Sequence, residues 1–397
     1  MKSLRKTFKR VYFRQVVIYL LTWCLVFNIT LPTALAEVVL DSVINGDITV
    51  TPLGEGITQD MTASDGAIGH FSDFDIAAGH AVTCLQPSAN ANALFRVFSG
   101  DGTQILGQFD ANGNIYLIDP AGILFGANSQ INVNQLVASS LDISNQDFLD
   151  GDGQYEFIAG EEAIGAIVND GTINAAEGVA LIGRQILNTG TITVGEGGFV
   201  VMAAGDRVLL GEPGSHILVE MNSVALPEEG DGDVINDGDI SAPAGTVVLA
   251  AGDVFASAME LPKVSSGTGA VSQNGTINVN GTTGDGGGIS LTAADEVVLS
   301  SGSLTTANAA TGGDAGLVVV HSEDRVTIEA GAQIQATGGH TPEQGSGGFE
   351  DVVETTVEVS GDYVNFAGSI DASATGGKRG KIVIDALDMT VANGTMP

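Results

Sequence analysis

The chain has 397 residues, with 14 lysines and arginines against 48 aspartates and glutamates, for a net charge of −34. A polyanion of this strength repels nucleic acid and anionic lipid, so no nucleic-acid partner is expected. At 44% hydrophobic and only 16% charged residues the chain is too apolar to be a disordered acidic tail.

Only 5% of the residues are aromatic and 55 are glycine, so the core must be built from Val, Ile, Leu and Ala, with turns set by Gly and Asn. A single compact core of this length stands near its size limit. A solenoid escapes that limit because each repeat contacts only its neighbours.

Residues 1–36 read as a signal peptide. Six basic residues (Lys2, Arg5, Lys6, Lys9, Arg10, Arg14) precede an apolar run from Val16 to Phe27, then Pro32 and the small-residue site Ala34-Leu35-Ala36. The run is short for a membrane span, which needs about 20 residues. Cleavage after Ala36 leaves 8 basic against 48 acidic residues, a balance of −40. It also removes Cys24. Cys84 then remains as a lone thiol, expected to be a buried, unreactive small residue.

From Val38 to about Asp110 the sequence predicts short strands without a clean repeat, such as Val38-Val-Leu40 and Ile48-Thr-Val50 around the Asn45-Gly46 turn. The stretch Ala111–Ile143 is the densest alternation of strand and corner, and is read as the start of a stacked architecture. Asn112-Gly113-Asn114 turns into Ile115–Ile118. Asp119-Pro120-Ala121-Gly122 turns again into Ile123–Phe125, with Pro120 fixing φ and Gly122 suited to a positive φ.

Beyond Ala163 one corner recurs as Asn169-Asp-Gly-Thr-Ile173, Asn188-Thr-Gly-Thr-Ile192, Asn236-Asp-Gly-Asp-Ile240 and Asn274-Gly-Thr-Ile277. Gly171, Gly190, Gly214 and Gly238 suggest a period near 20 to 24, and apolar runs such as Val179–Ile182, Phe199–Met202 and Val247–Leu249 lie between corners. This pattern predicts an all-β, right-handed parallel β-helix. Later units marked by Gly302, Gly331 and Gly368 are longer, with Gly-rich excess at 283–288 and 337–348 bulging from one corner.

Candidate chemistry is sparse. His70 and His80 flank Asp73 and Asp75, but their spacing matches no metal signature and alternation turns Phe74 and Ile76 inward. Asp150-Gly-Asp-Gly-Gln154 with Glu161 resembles a calcium loop, yet Tyr155 stands where that loop needs Gly. No metal site or cofactor is therefore assigned, with loose calcium binding there or at Asp231, Asp233 and Asp237 the one reservation. A β-helical polysaccharide-cleaving enzyme is the alternative reading. It needs paired carboxylates or an Arg base, and the mature basic residues are scattered. Arg207 and Arg325, in similar Asp-Arg-Val contexts, are read as a repeat feature. No catalytic residue is assigned.

An ordered series of pieces resembles the N-terminal secretion domain of filamentous haemagglutinin and related two-partner secretion exoproteins. The pieces are Phe74-Asp-Ile76, Val82 to Pro87, Arg96-Val97, Gln104 to Gly107, Ala111 to Ile115, Leu117 to Gly126 and Leu136 to Ile143. Where that family carries Asn-Pro-Asn-Gly-Ile, this chain has Asp119-Pro120-Ala121-Gly122-Ile123. The resemblance implies a secretion domain over 37–160 and β-helix repeats over 161–397, without a distinct C-terminal cap, as in a short or truncated member. It also implies a secreted or surface adhesin-like protein of a Gram-negative-type bacterium. The implied partners are an outer-membrane barrel with periplasmic receptor domains and a host or environmental surface ligand. Asn112, Gly113, Asn114, Asp119, Pro120, Gly122 and Ile123 are the implied recognition and turn residues.

Overall fold

A computed structural model describes residues 38–52, 57–160, 165–211, 218–221, 233–252, 254–257, 260–264, 269–339, 355–375 and 380–391. The expected signal peptide lies outside them. Among the described residues no helix is long and apolar enough to cross a membrane.

The chain winds as a parallel β-helix with three sheets per coil. One coil runs from Thr103–Ile105 on the first sheet, through Gln108–Ala111 on the second, to Asn114–Ile118 on the third. Each strand pairs in parallel with its counterpart one coil away. Ile123–Phe125 sits between Thr103–Ile105 and Ile167–Asn169. Gln130–Ser139 bends from the second sheet to the third, covering both Gln108–Ala111 and Asn114–Ile118. The same succession continues to Lys381–Val391, and strands on either side of residue 160 pair in register. At the other end Val39–Asn45 lies antiparallel on Ala67–Asp73 and closes the stack.

Strand alternation places the core. On the second sheet the middle residue of each strand points inward, as Val82, Phe109, Ile131, Ile173 and Ile192 do, all nearly inaccessible. The next inward position holds Cys84, Ala111, Val133 and Ala175, smaller side chains that fit the tight meeting of two sheets. Burial pushes the Cys84 thiol pKa up to about 12, so it packs as an apolar residue.

Several expectations are corrected. Stacking begins upstream of Ala111, because Thr58–Ala63 already pairs in parallel with Ala81–Leu85, and Ala67–Asp73 with Asn92–Val97. The spacing of 24 does not hold. Asn188 stacks directly on Asn236, 48 residues on, and Gly214 lies outside the described residues. Arg207 and Arg325 are not equivalent: Arg207 pairs with Ile158 in a separate sheet, while Arg325 lies on the first sheet, 5.4 Å from the Tyr363 ring centre.

That separate sheet is a feature the sequence did not announce. Asp142–Ile143, Gln154–Ile158, Arg207–Gly211, Leu218–Met221, Val254–Ser257 and Glu260–Val264 form one antiparallel sheet. Its strands come from three insertions at the passage from the third sheet to the first. The cover, with the short helix Asn145–Leu149 capped by Ser144, encloses a second hydrophobic core against the outside of the third sheet. Tyr116, Phe148, Tyr155, Phe157 and Phe199 are its largest members, and Tyr116 meets the rings of Phe148 and Tyr155 at 5.2 and 5.4 Å. A strand buried on both faces has no reason to alternate, which accounts for the unbroken apolar runs at Phe199–Ala204 and 247–251.

Candidate functional site

The turn residues singled out in the sequence stand on the first coils of the helix. Asn112 is exposed, and its amide clamps the preceding coil: Oδ1 accepts the Gln86 N–H at 2.7 Å and Nδ2 donates to the Gln86 carbonyl at 2.9 Å. Gly113 leaves room for the Gln86 side chain, since a Cβ there would stand 2.6 Å from it. In that space Gln86 Nε2 donates to the Ala91 carbonyl at 2.7 Å. Asn114 is buried between two other asparagines. Its Nδ2 donates to Asn92 Oδ1 at 3.0 Å, and its Oδ1 accepts from Asn134 Nδ2 at 2.8 Å.

The second turn is built on Asp119, which is 1% exposed. Oδ1 accepts the Ala121 N–H at 2.9 Å, so aspartate closes the Asx-type turn expected of it. Oδ2 accepts from Thr103 Oγ1 at 2.8 Å and ties the turn to the coil below. Burial raises the Asp119 pKa, opposed by these hydrogen bonds. Gly122 donates to the Asp119 carbonyl at 2.9 Å with φ of +106°, which glycine adopts without strain. The next coil lies over it: a Cβ on Gly122 would stand 2.7 Å from the Ala166 carbonyl. Gly165 donates to the Pro120 carbonyl, and Ile123 is buried in the main core.

Of the seven residues, only Asn112 is exposed and only Pro120 half-buried in the folded chain; Gly113, Asn114, Asp119, Gly122 and Ile123 are inside. Their chemistry is to hold two corners together.

Two residues that matter here were missed. In the sequence Gln86 and Arg96 stand out only as parts of segments that match the family. Arg96 is 6% exposed and pins the cover to the helix. It donates to Asp142 Oδ1 at 2.7 Å, to Asn145 Oδ1 at 2.6 Å and to the Ile143 carbonyl. A lone arginine inside an apolar strand was the available signal, because a buried guanidinium needs an acceptor for each N–H it turns inward.

The recurring corner forms an internal ladder. Asn169 donates to Asn188 at 2.7 Å, Asn188 to Asn236 at 2.7 Å and Asn236 to Gln273 at 2.8 Å, all four fully buried. The fourth rung is Gln273 rather than Asn274. Asn274 points out and donates to Asp237 at 2.5 Å.

The acidic loops bind their own backbone. Asp150 and Asp152 accept the N–H groups of Asp152 and Gln154, and Asp73 and Asp75 accept those of Asp75 and Gln104. Glu161 and Asp231 lie outside the described residues. Among the described residues no three His, Cys, Asp or Glu side chains are grouped to hold a metal ion. One groove of about 560 Å³ gathers Glu323, Asp362 and Asp385 beside His321, whose Nδ1 lies 2.9 Å from Ser360 Oγ. All three carboxylates are exposed.

The sequence model of the TPS (two-partner secretion) secretion domain matches residues 42–291, running past the boundary expected at 160. A heme/hemopexin-binding protein of Haemophilus influenzae is 30% identical over 210 residues, 51% of this chain and 23% of that protein. A second H. influenzae protein of that name is 38% identical over 80 residues, 20% of this chain and 9% of its own. The chain thus spans under a quarter of the length of these relatives. In three dimensions it is similar to the crystal structure of the HMW1 secretion domain from H. influenzae, with a TM-score of 0.61 and 24% identity. That match covers 89% of this chain and 100% of the other, which shows the shared fold. The sequence match runs through both corner turns and the covered coils, and the chain belongs to the TPS secretion domain family.

Proposed function

We propose that residues 42–291 serve to deliver a secreted exoprotein to a dedicated outer-membrane transporter and to start its export. The family match over these residues carries the reading. The transporter's periplasmic receptor domains engage the segment that forms the first coils, in which Asn112 and Pro120 are the turn residues left facing solvent once it has folded. The later coils form an adhesin-like stalk, exposed on or released from the cell surface. Folding by local stacking suits export, because each coil closes on the one before it as the chain emerges. A chain with no internal disulfide among its described residues also threads more readily.

The test is release of the full chain from cells with and without the transporter. Transporter-dependent release is expected, and equal release from both strains sinks the reading. The alternative, polysaccharide cleavage, has one observation in its favour, the carboxylates of the His321 groove. They stand in solvent, one per coil, with no Lys or Arg among the lining residues. Burial, and then the neighbouring Asp362 charge, raises the Glu323 pKa in the direction a general acid needs, so Glu323 is the carboxylate to test. Appearance of new reducing ends from a polysaccharide panel, abolished in Glu323→Gln, would restore that alternative.

A further inference from the structure

A groove of about 520 Å³ runs along the corner at which the second sheet passes into the third, across four successive coils. Its floor is aliphatic: Val133, Ala175 and Val194 stand in register and are nearly inaccessible. One wall is polar, formed by Asn132, Asn174 and Thr193, also in register and half-buried. The other side is low, because Ala176 and Gly195 carry little or no side chain. The polar wall is not saturated by its own hydrogen bonds. Asn132 Nδ2 donates to Asp110 at 2.7 Å and Asn174 Nδ2 to Asn132 Oδ1 at 3.0 Å. Among the described residues no hydrogen bond engages Asn174 Oδ1 or Thr193 Oγ1, which leaves an amide acceptor and a hydroxyl at the groove. No lining residue is charged or aromatic, in a chain of net charge −34.

Such a lining fits an uncharged, extended glycan. A pyranose ring lays its C–H face on an aliphatic floor and turns its hydroxyls, each both donor and acceptor, to amides and hydroxyls beside it. Each coil rises by about 4.8 Å, close to the advance of one sugar in a β-1,4-linked ribbon, so successive sugars meet equivalent side chains. Four coils make a groove about 15 Å long, room for about three sugars. Sulfated or acidic glycans are the wrong charge, because Asp110, Glu177 and Glu196 border the groove in sequence. A peptide strand is the wrong occupant for another reason. The strands beneath are hydrogen-bonded to the coil before and the coil after, so no main-chain edge is open to it.

We infer that this corner groove binds an extended, neutral, β-linked glycan on the folded chain and, having no titratable side chain in its lining, holds the glycan without cleaving it. The groove exists only once the coils have stacked, so its ligand is met after export. The inference goes beyond the delivery role of these coils and does not depend on the transporter.

The test is the native-gel mobility of the full chain in gels containing soluble glucomannan, a neutral β-1,4-linked polymer, beside gels containing heparin or dextran. Retardation by glucomannan alone is expected. Ala176→Leu fills the groove from an exposed position, and Asn174→Ala with Thr193→Val strips the polar wall. Each is expected to weaken apparent affinity about threefold or more at an unchanged melting temperature. Thr276→Val, on the same sheet beyond the groove, is expected to be retarded as the unaltered chain is. If the double variant unfolds, Ala176→Leu and the single Thr193→Val, which keeps β-branching, carry the test. Full retardation of those variants overturns the inference. So does failure of glucomannan to retard the folded unaltered chain, or equal retardation by heparin or dextran. New reducing ends formed from glucomannan by the unaltered chain and lost in Ala176→Leu would overturn the claim that the groove only binds.

Discussion

Two regions of one helix solve the same packing problem differently. In the coils up to Ala251 the third-sheet strands are buried on both faces: all six residues of Phe199–Ala204 are inaccessible. In the later coils the same sheet alternates, with Val318, Val320 and Ser322 buried and Leu317 exposed. Inside, the corner position that holds Asn169, Asn188, Asn236 and Gln273 in the earlier coils holds Leu299, Ile328 and Phe366 in the later ones. The early coils therefore depend on a cover made of distant insertions and on amides that must all be matched. The later coils depend only on the coil below. The first arrangement couples many residues into one cooperative unit, while the second adds stability coil by coil.

The sharpest way to break this comparison is to empty the second core. Phe157 is fully buried between cover and helix, so Phe157→Ala is expected to cost about 3–5 kcal/mol. Val320→Ala in the later coils is expected to cost about 2 kcal/mol. Denaturant unfolding measures both. Hydrogen exchange should then show faster opening of 142–158 and of the third sheet up to Ala251 for the first variant, and only local change for the second. Matching exchange patterns would show that the two regions do not differ in cooperativity.

The ladder gives the next effect. Asn188→Ala leaves the Asn169 amide N–H and the Asn236 carbonyl oxygen unpaired in a dry interior, at about 2–4 kcal/mol. Changing all four rungs to Leu imitates the later coils and is expected to recover most of that loss, because it strands no side-chain amide and costs only the Gly171 N–H its acceptor on Asn169. A fourfold variant weaker than the single one would mean the ladder stabilises through more than matched hydrogen bonds.

Much of this difference was not legible in the chain. The β-helix itself was, since the recurring Asn-x-Gly-x-Ile corner and β-branched three-residue runs leave little else to build. The two turns were also legible: Asp119 and Gly122 do what their residue types favour. The cover was not, because its strands come from three insertions whose pairing partners lie far apart in sequence. Glu156, for instance, pairs with Leu209. The signal that was present was negative. Val179–Ile182 and Phe199–Met202 do not alternate, and a strand that does not alternate must be covered on both sides. Gln86 and Arg96 were missed for the same reason, as their partners Asn112 and Asp142 lie 26 and 46 residues away.

Arg96→Met tests the join between the two regions' ways of packing, since this one side chain holds the cover's first strand to the helix. Met keeps much of the aliphatic contact and removes three hydrogen bonds, and Asp142 is exposed enough to be rehydrated. The expected loss is about 2–3 kcal/mol by denaturant unfolding. Proteolysis within 142–158 should rise in step, while the later coils keep their resistance. Unchanged cleavage in that segment would mean the second core holds the cover without its polar anchor.

The smallest expected effect separates the early coils from the rest by pH. Asp75 accepts the Gln104 N–H at 2.6 Å and has its pKa raised to about 6, first by burial and then by the nearby Asp73, Asp101 and Asp119 carboxylates, against the lowering effect of that hydrogen bond. A carboxyl raised in the folded state binds its proton more tightly there than in the unfolded chain. Its contribution is therefore fully present below the unfolded value of 3.8 and is lost as pH rises through about 6. The first coils should be firmer at pH 5 than at pH 7. Because the side chain is half-exposed, solvent screening reduces the difference to about 1 kcal/mol. Asp75→Asn should abolish that part of the pH dependence, read as the change in unfolding midpoint between the two pH values and as amide exchange at Gln104. Later coils should exchange alike in both proteins. If the variant keeps the full pH dependence, the response belongs to the overall acidity of the chain rather than to this corner.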